Sequence, residues 1–171
     1  MFSKVALGGG CHWCTEAVFQ SLIGVEKVAQ GWVNSFKENK TFSEAVIVTF
    51  KPNFISLETL IEIHLHTHKS TRNHPFRDKY RSAVYVFSEK QKQDSKAILK
   101  NLQKGFDKQI ITKVYSFNTF KFSREEIQNY YRKNPEKPFC ETYINPKLRL
   151  LMSQFSKHVN DTRVEHLIDR E

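Results

Sequence analysis

At 171 residues the chain can bury one full hydrophobic core and is too short for two comfortable ones. Its 39% apolar share, with 13% aromatics including 14 Phe, describes a globular chain, and no apolar run approaches the roughly 18 residues that span a bilayer. The formal charge of +9 would admit a nucleic-acid partner, but the lysines are dispersed from Lys4 to Lys157 without a run of four and no DNA or RNA motif accompanies them. Neither nucleic acid nor membrane is therefore expected as a partner, and the basic surface suits an acidic protein instead.

The apolar run Val5 to Leu7 predicts a first strand, Gly8 to Gly10 a tight turn, and Thr15 to Leu22 a helix. Cys11 falls at or just before that helix's N-terminus. Unpaired N–H groups and the helix dipole favour a thiolate there, taking a cysteine from about 8.5 to roughly 3.5–7.5. The competing reading is a buried, inert cysteine. Val25 to Val33 and Glu44 to Phe50 predict two further strands around a polar loop, Asn34 to Thr41. Ser56 caps a helix whose apolar face is Leu57, Leu60, Ile61 and Leu65. The loop Lys69 to Lys79 leads to a strand, Arg81 to Phe87, and Ser88 opens a charged helix near 89–106. A fifth strand, Ile110 to Phe117, a helix opened by Ser123, a proline-punctuated loop Asn134 to Pro146 carrying Cys140, and a helical stretch Lys147 to Val159 follow. Residues 1–159 are read as one domain and 160–171 as a polar tail prone to fray.

This order predicts an α+β, two-layer α/β sandwich with a ferredoxin-like β-α-β-β-α-β core and C-terminal extensions. In that topology the ends of strand one and the starts of strands three and four meet at one sheet edge. Cys11, Glu44 and Tyr80 would converge there. A thiolate beside a protonated carboxyl and a phenol suits attack on an electrophile with a basic oxygen. The thiolate attacks sulfur, Glu44 in an apolar pocket gives the oxygen a proton, Tyr80 hydrogen-bonds it, and Trp13 supplies an apolar wall. The plainer readings are an exposed strand end for Glu44 and a half-buried strand residue for Tyr80.

The segment Gly10 to Phe19 (GCHWCTEAVF) resembles the Gly-Cys-Phe-Trp signature of the A-type peptide methionine sulfoxide reductases, the peptide-methionine (S)-S-oxide reductases. Ser43 to Val46, Asp78 to Val84 and Lys133 to Cys140 agree in order, so the likeness spans roughly 3–141. The resemblance implies reduction of the S epimer of methionine sulfoxide in peptides, with acceptance of the free amino acid left open, as protein repair against oxidative stress. Cys11 would be the nucleophile, Glu44 the acid and Tyr80 the oxygen's hydrogen-bond donor, with no cofactor. A sulfenic acid on Cys11 would condense with Cys140, the family's C-terminal resolving position, or with Cys14; thioredoxin or a similar dithiol would restore it. His12 replaces the Phe that helps line the methyl pocket, and is either polar lining or solvent-facing. The glycine-rich stretch is shortened to Val33–Lys40, and its second Tyr has no counterpart, with only Phe42 and Trp32 nearby. The family's Asp aligns with Pro75, for which Asp78 is the candidate substitute.

Three cysteines, an odd number, argue against a disulfide framework and for a reducing compartment. With no signal peptide evident, a cytoplasmic location is expected, and a monomer. Two rivals use the same residues. Cys11 and Cys14 fit a thioredoxin-like dithiol–disulfide oxidoreductase, although the later element order does not, and Cys14→Ser in single turnover discriminates the two. His64, His66 and His68 with Cys11, His12 and Cys14 suggest a metal module, but on a helix His66 points away from the other two, and no metal is assigned. A fold kept only to bind Met-rich partners would not need Cys11, Glu44, Tyr80 and Cys140 together.

Overall fold

The computed structural model describes residues 1–168. β1 (Ser3–Gly8), α1 (His12–Gln20), β2 (Val25–Asn34), β3 (Ser43–Phe50), α2 (Leu57–Thr67) and β4 (Ala83–Val86) form the expected core. They are followed by α3 (Glu89–Leu102), β5 (Lys113–Ser116), β6 (Thr119–Phe122), α4 (Tyr130–Lys133), α5 (Asn145–Gln154) and α6 (Asp161–Ile168). The six strands form one sheet in the order β5-β4-β1-β3-β2-β6. Its central four strands keep the antiparallel 4-1-3-2 order, β1 lying between β3 and β4.

Strand alternation gives the sheet two buried faces. Val5, Leu7, Val46, Val48 and Val84 pack on Phe19, Leu60, Ile61 and Leu148 of the helices. The opposite face carries Ala6, Ala45, Ala83, Val33 and Tyr85, covered by Tyr115, Phe117 and Phe120. Those covering residues come from the two edges. β5 pairs parallel with β4 and β6 pairs antiparallel with β2, yet only Phe117 and Asn118 separate them. Two residues reach no more than about 10 Å, so the sheet is rolled until its edges nearly meet. Ser35 Oγ donates to Ser116 O at 2.6 Å and Thr119 N to Asn34 Oδ1 at 2.9 Å across the seam. The three alanines leave room for the curl.

Four expectations change. The fifth strand is shorter than 110–117, and β6 was not foreseen. Ser123 opens no long helix: a 3-10 turn at Glu125–Ile127 precedes the single turn of α4. Cys140 is not on a flexible loop but begins a wide helical turn, Cys140–Ile144, continuous with α5. The segment expected as a fraying tail is α6, with Val164 and Leu167 buried and Tyr131 Oη 2.6 Å from His166 Nε2; residues 169–171 of that expected tail lie outside the described residues.

Candidate active site

Cys11 is the N-cap of α1, its carbonyl accepting from Cys14 N at 3.1 Å and Thr15 N at 3.2 Å. Its thiol is half-buried and held below its ordinary range, first by a hydrogen bond from the Cys14 thiol, then by the backbone N–H groups of Trp13 and Cys14; burial and the charge of Glu44 oppose this. The Cys14 thiol moves the other way, pushed up by that same bond and by burial. The two shifts together favour ionisation of Cys11 over that of Cys14. The lowering has the direction that a cysteine at a helix N-terminus predicts.

Backbone packing brings the acid to the same turn. A Cβ on Gly8 would lie 2.8 Å from Glu44 O and 3.2 Å from Arg81 O, so only glycine lets the end of β1 pass between them. Ser43 Oγ donates to Lys79 O at 2.9 Å and accepts from Arg81 N at 2.7 Å, fastening the start of β3 to the segment before β4. Glu44 is 6% exposed, not a free strand end. Its Oε1 accepts from His12 N at 3.2 Å and lies 3.5 Å from His12 Nε2. Lys79 Nζ is 3.8 Å from Oε2 and 5.2 Å from the centre of the Tyr80 ring. The Lys79 ammonium is favoured by the Tyr80 hydroxyl first, then by Glu44, and more weakly by Cys11. Glu44 and Tyr80 therefore flank one exposed lysine that sequence reasoning missed, and Cys11 acts on it only through its charge.

His12 is 4% exposed, which removes the solvent-facing reading. Nδ1 lies 2.7 Å from Gly31 O, and the ring stands edge-on to Trp32 at 5.1 Å. Trp32 is opposite Glu44 in the β2–β3 register, which places both on one sheet face. Asp78 is exposed on the turn Pro75–Asp78; the charged neighbour that the acid does have is Lys79. Arg77 ties this turn down, donating to Gly9 O at 2.8 Å, Tyr80 O at 3.0 Å and Lys69 O at 2.6 Å.

Trp13 does not form its wall alone. Tyr130 stacks on it at 4.1 Å and Phe139 meets it edge-on at 5.3 Å. Trp13 Nε1–H is buried without an acceptor among the described residues. Glu16, fully buried in α1, holds Tyr130 in place: its carboxylate accepts from Asn129 N at 2.9 Å, Tyr130 N at 3.1 Å and Gln30 Nε2 at 3.0 Å. Asn129 takes φ 58°, a left-handed conformation that Asn tolerates. Cys140 is 0% exposed, its thiol donating to Asn134 O at 3.2 Å and pushed up by burial. Lys147 of α5 donates to Thr67 O at the end of α2. Burial holds Lys147 below its ordinary range, against the pull of Cys14 and Cys11.

The histidine cluster has a structural occupation. His64 Nε2 bonds Gly8 O at 2.8 Å, while His68 uses Nδ1 on His64 O and Nε2 on Ser82 Oγ. The His68 ring sits where a Cβ on Gly9 would be, 2.5 Å away. His66 turns aside onto Phe106. Among the described residues no three His, Cys, Asp or Glu side chains are grouped to share a metal ion. The pair His64 and His68 instead buttresses the glycine turn that presents Cys11. A groove of ≈ 390 Å³ bounded by Gln20, Val28, Arg132 and Arg163 contains none of the foreseen site residues.

Residues 3–159 match the family model described as peptide methionine sulfoxide reductase. The chain belongs to that family. Two relatives bearing the name peptide methionine sulfoxide reductase MsrA support this over nearly full lengths. That of Nitratiruptor sp. is 31% identical over 93% of this chain and 99% of its own. That of Trichodesmium erythraeum is 34% identical over 94% and 99%. The fold of the reductase is shared with reduced Mxr1 of Saccharomyces cerevisiae, at TM-score 0.69 and 21% identity over 83% of this chain and 91% of that one. It is shared too with methionine sulfoxide reductase A of Corynebacterium diphtheriae, at 0.67 and 21% over 80% and 76%. The activity of the reductase is the reduction of methionine sulfoxide, which excludes the metal and binding-module rivals as its principal function.

Proposed function

We propose that the reductase acts on the S epimer of methionine sulfoxide in peptides, with Cys11 as nucleophile, Glu44 as acid and Tyr80 as a hydrogen-bond donor to the substrate oxygen. The observation that carries this reading is His12 N–H on Glu44 Oε1 at 3.2 Å, which ties the acid to the residue beside Cys11. The Cys11 thiolate attacks the sulfoxide sulfur while Glu44 protonates its oxygen. The substrate's sulfur–oxygen bond breaks, the oxygen passes to Cys11 Sγ as a sulfenic acid, and methionine leaves. Cys14 then attacks Cys11 Sγ, a water departs and a disulfide forms. The two thiols have supplied two electrons. Cys14 is preferred to Cys140 as the resolving thiol because it already hydrogen-bonds Cys11, whereas Cys140 is buried against Asn134 O. Trp13, with Tyr130, lines the place of the substrate methyl.

A dithiol donor of the thioredoxin class reopens the disulfide by exchange; a fold-sharing structure, Mxr1 of Saccharomyces cerevisiae in complex with Trx2, supports that choice (TM-score 0.59). The reductase works as a monomeric single domain in the cytoplasm, whose reducing poise suits three reduced cysteines. Among the described residues no helix is long and apolar enough to cross a membrane. The test is a single turnover with an S-sulfoxide peptide and no added reductant. One equivalent of methionine and a Cys11–Cys14 disulfide are expected on peptide mapping, and none of either with Cys11→Ser. Cys14→Ser should still release methionine, leaving the sulfenic acid. Methionine released by Cys11→Ser would remove the nucleophile, and a Cys11–Cys140 disulfide in the wild type would reassign the resolving thiol.

A further inference from the structure

Both ring nitrogens of His12 have fixed neighbours. Nδ1 lies 2.7 Å from Gly31 O, and a carbonyl only accepts, so Nδ1 carries a proton. Nε2 then faces Glu44 Oε1 at 3.5 Å, with the two side chains 5% and 8% exposed. An imidazole lone pair and a carboxylate oxygen turned on one another away from water repel, and a single proton between them converts repulsion into a hydrogen bond. We propose that His12 Nε2 and Glu44 Oε1 share one proton in the resting reductase, making His12 a positioning residue that keeps the acid loaded. The inference deepens, and rests on, the reading of Glu44 as proton donor.

One neighbour opposes the shared proton: the Lys79 ammonium, 3.8 Å from Oε2, favours the bare carboxylate. Lys79, from the turn before β4, approaches Oε2 from the solvent side and Tyr80 lies beside it. Cys11 lies at the N-cap of α1 next to His12, and β2 contributes only the Gly31 carbonyl and the Trp32 ring. Burial lowers the His12 imidazolium below its ordinary range, with Lys79 acting in the same sense and Gly31 O and Glu44 against it. A proton shared with His12 also lessens the repulsion that the charge of Glu44 exerts on an ionising Cys11. On reaction the proton moves to the sulfoxide oxygen, and the pair is reloaded from solvent. The signature's usual Phe can accept no such proton, so this chain's His12 should hold the acid loaded to higher pH than Phe would.

The test has two independent readouts. The first is the pH profile of single-turnover methionine formation for wild type, His12→Phe and His12→Asn; Asn keeps a donor for Gly31 O but lacks the Nε2 acceptor. In both variants the alkaline fall should begin at least about one pH unit lower, a tenfold loss at a fixed alkaline pH. The second is the 15N shift of His12 Nε2 in the reduced protein, which should show a titration step shared with Glu44 and absent in Glu44→Gln. Coincident pH profiles for the three proteins, or an Nε2 titration identical in wild type and Glu44→Gln, would overturn the proposal. A wild type that releases no methionine sinks the catalytic reading instead, and the 15N experiment still decides whether the proton is shared.

Discussion

At position 11 the chain concentrates three favourable hydrogen bonds on one sulfur, and each comes from within the same helical turn. Such short-range geometry is legible in sequence: glycines, a cysteine and a helix start suffice to predict it. His12 was not legible, because its role depends on a carbonyl 19 residues away and a carboxylate 32 residues away. Glu44→Gln should slow methionine release about 100-fold, the usual scale for loss of a general acid, with the deficit growing as pH rises and solvent protons become scarce. A flat, unchanged rate from pH 6 to 9 in stopped-flow single turnovers would remove Glu44 from the chemistry. Lys147 favours ionisation of Cys14, whose thiol otherwise resists it. Lys147→Met should therefore slow disulfide closure more than it slows methionine release. Mass spectrometry of quenched turnovers would show the sulfenic acid persisting.

Between elements, the polar anchors of α1 set what faces the catalytic turn. Glu16 occupies an interior helix position that reads as a solvent-facing charge, yet it is fully buried and accepts three hydrogen bonds. Burial raises its pKa above the usual carboxylate range, while the N–H donors from Asn129, Tyr130 and Gln30 oppose the shift. Glu16→Ala leaves those donors unpaired and should cost about 3 kcal/mol. It should also release Tyr130 from Trp13, raising KM for sulfoxide peptides more than it lowers kcat. Equal urea midpoints and equal KM for variant and wild type would refute that anchoring. Sequence reasoning missed this link because the partner segment, expected as a helix from Ser123, is a short turn held by Glu16, by Gln30 and Gln20, and by the left-handed Asn129. Cys140 was misplaced for a related reason: the prolines before it suggested a loop, whereas the segment winds directly into α5.

At the scale of the whole molecule, two features follow from the rolled sheet and its histidine buttress. A Cβ on Gly31 would lie 2.1 Å from Lys121 O, and backbone cannot yield as a side chain tip can. Gly31→Ala should push β6 off β2, cost about 3 kcal/mol and speed amide exchange along Thr119–Phe122; unaltered exchange there would contradict the seam. His64 is held down to about 4 and His68 well below 6.5, chiefly by burial. The unfolded chain takes up those protons near 6.5 while the folded one refuses them, so acid favours unfolding. Stability should be insensitive to these groups above about pH 6.5 and fall steadily from there toward pH 4, by about 3 kcal/mol for His64 alone. Urea unfolding at pH 7.5 and 4.5 measures this, and His64→Gln should flatten the slope; an unchanged slope would exclude His64 as its source.

The sequence by itself determined the order β-α-β-β-α-β, the placing of Cys11 at a helix start and the approach of Glu44 and Tyr80 to the same sheet edge. Each follows from local periodicity, capping and turn chemistry, which act over a few residues, combined with the one antiparallel topology that such an order favours. Only the tertiary structure decided that the sheet rolls until β5 and β6 nearly touch, that His12 and Glu44 face one another, that Cys140 is buried against Asn134 O, and that His64 and His68 carry a glycine turn. Those outcomes depend on burial and on hydrogen bonds between distant segments. A charged or polar side chain in a sequence does not announce whether water or a carbonyl will satisfy it; packing chooses.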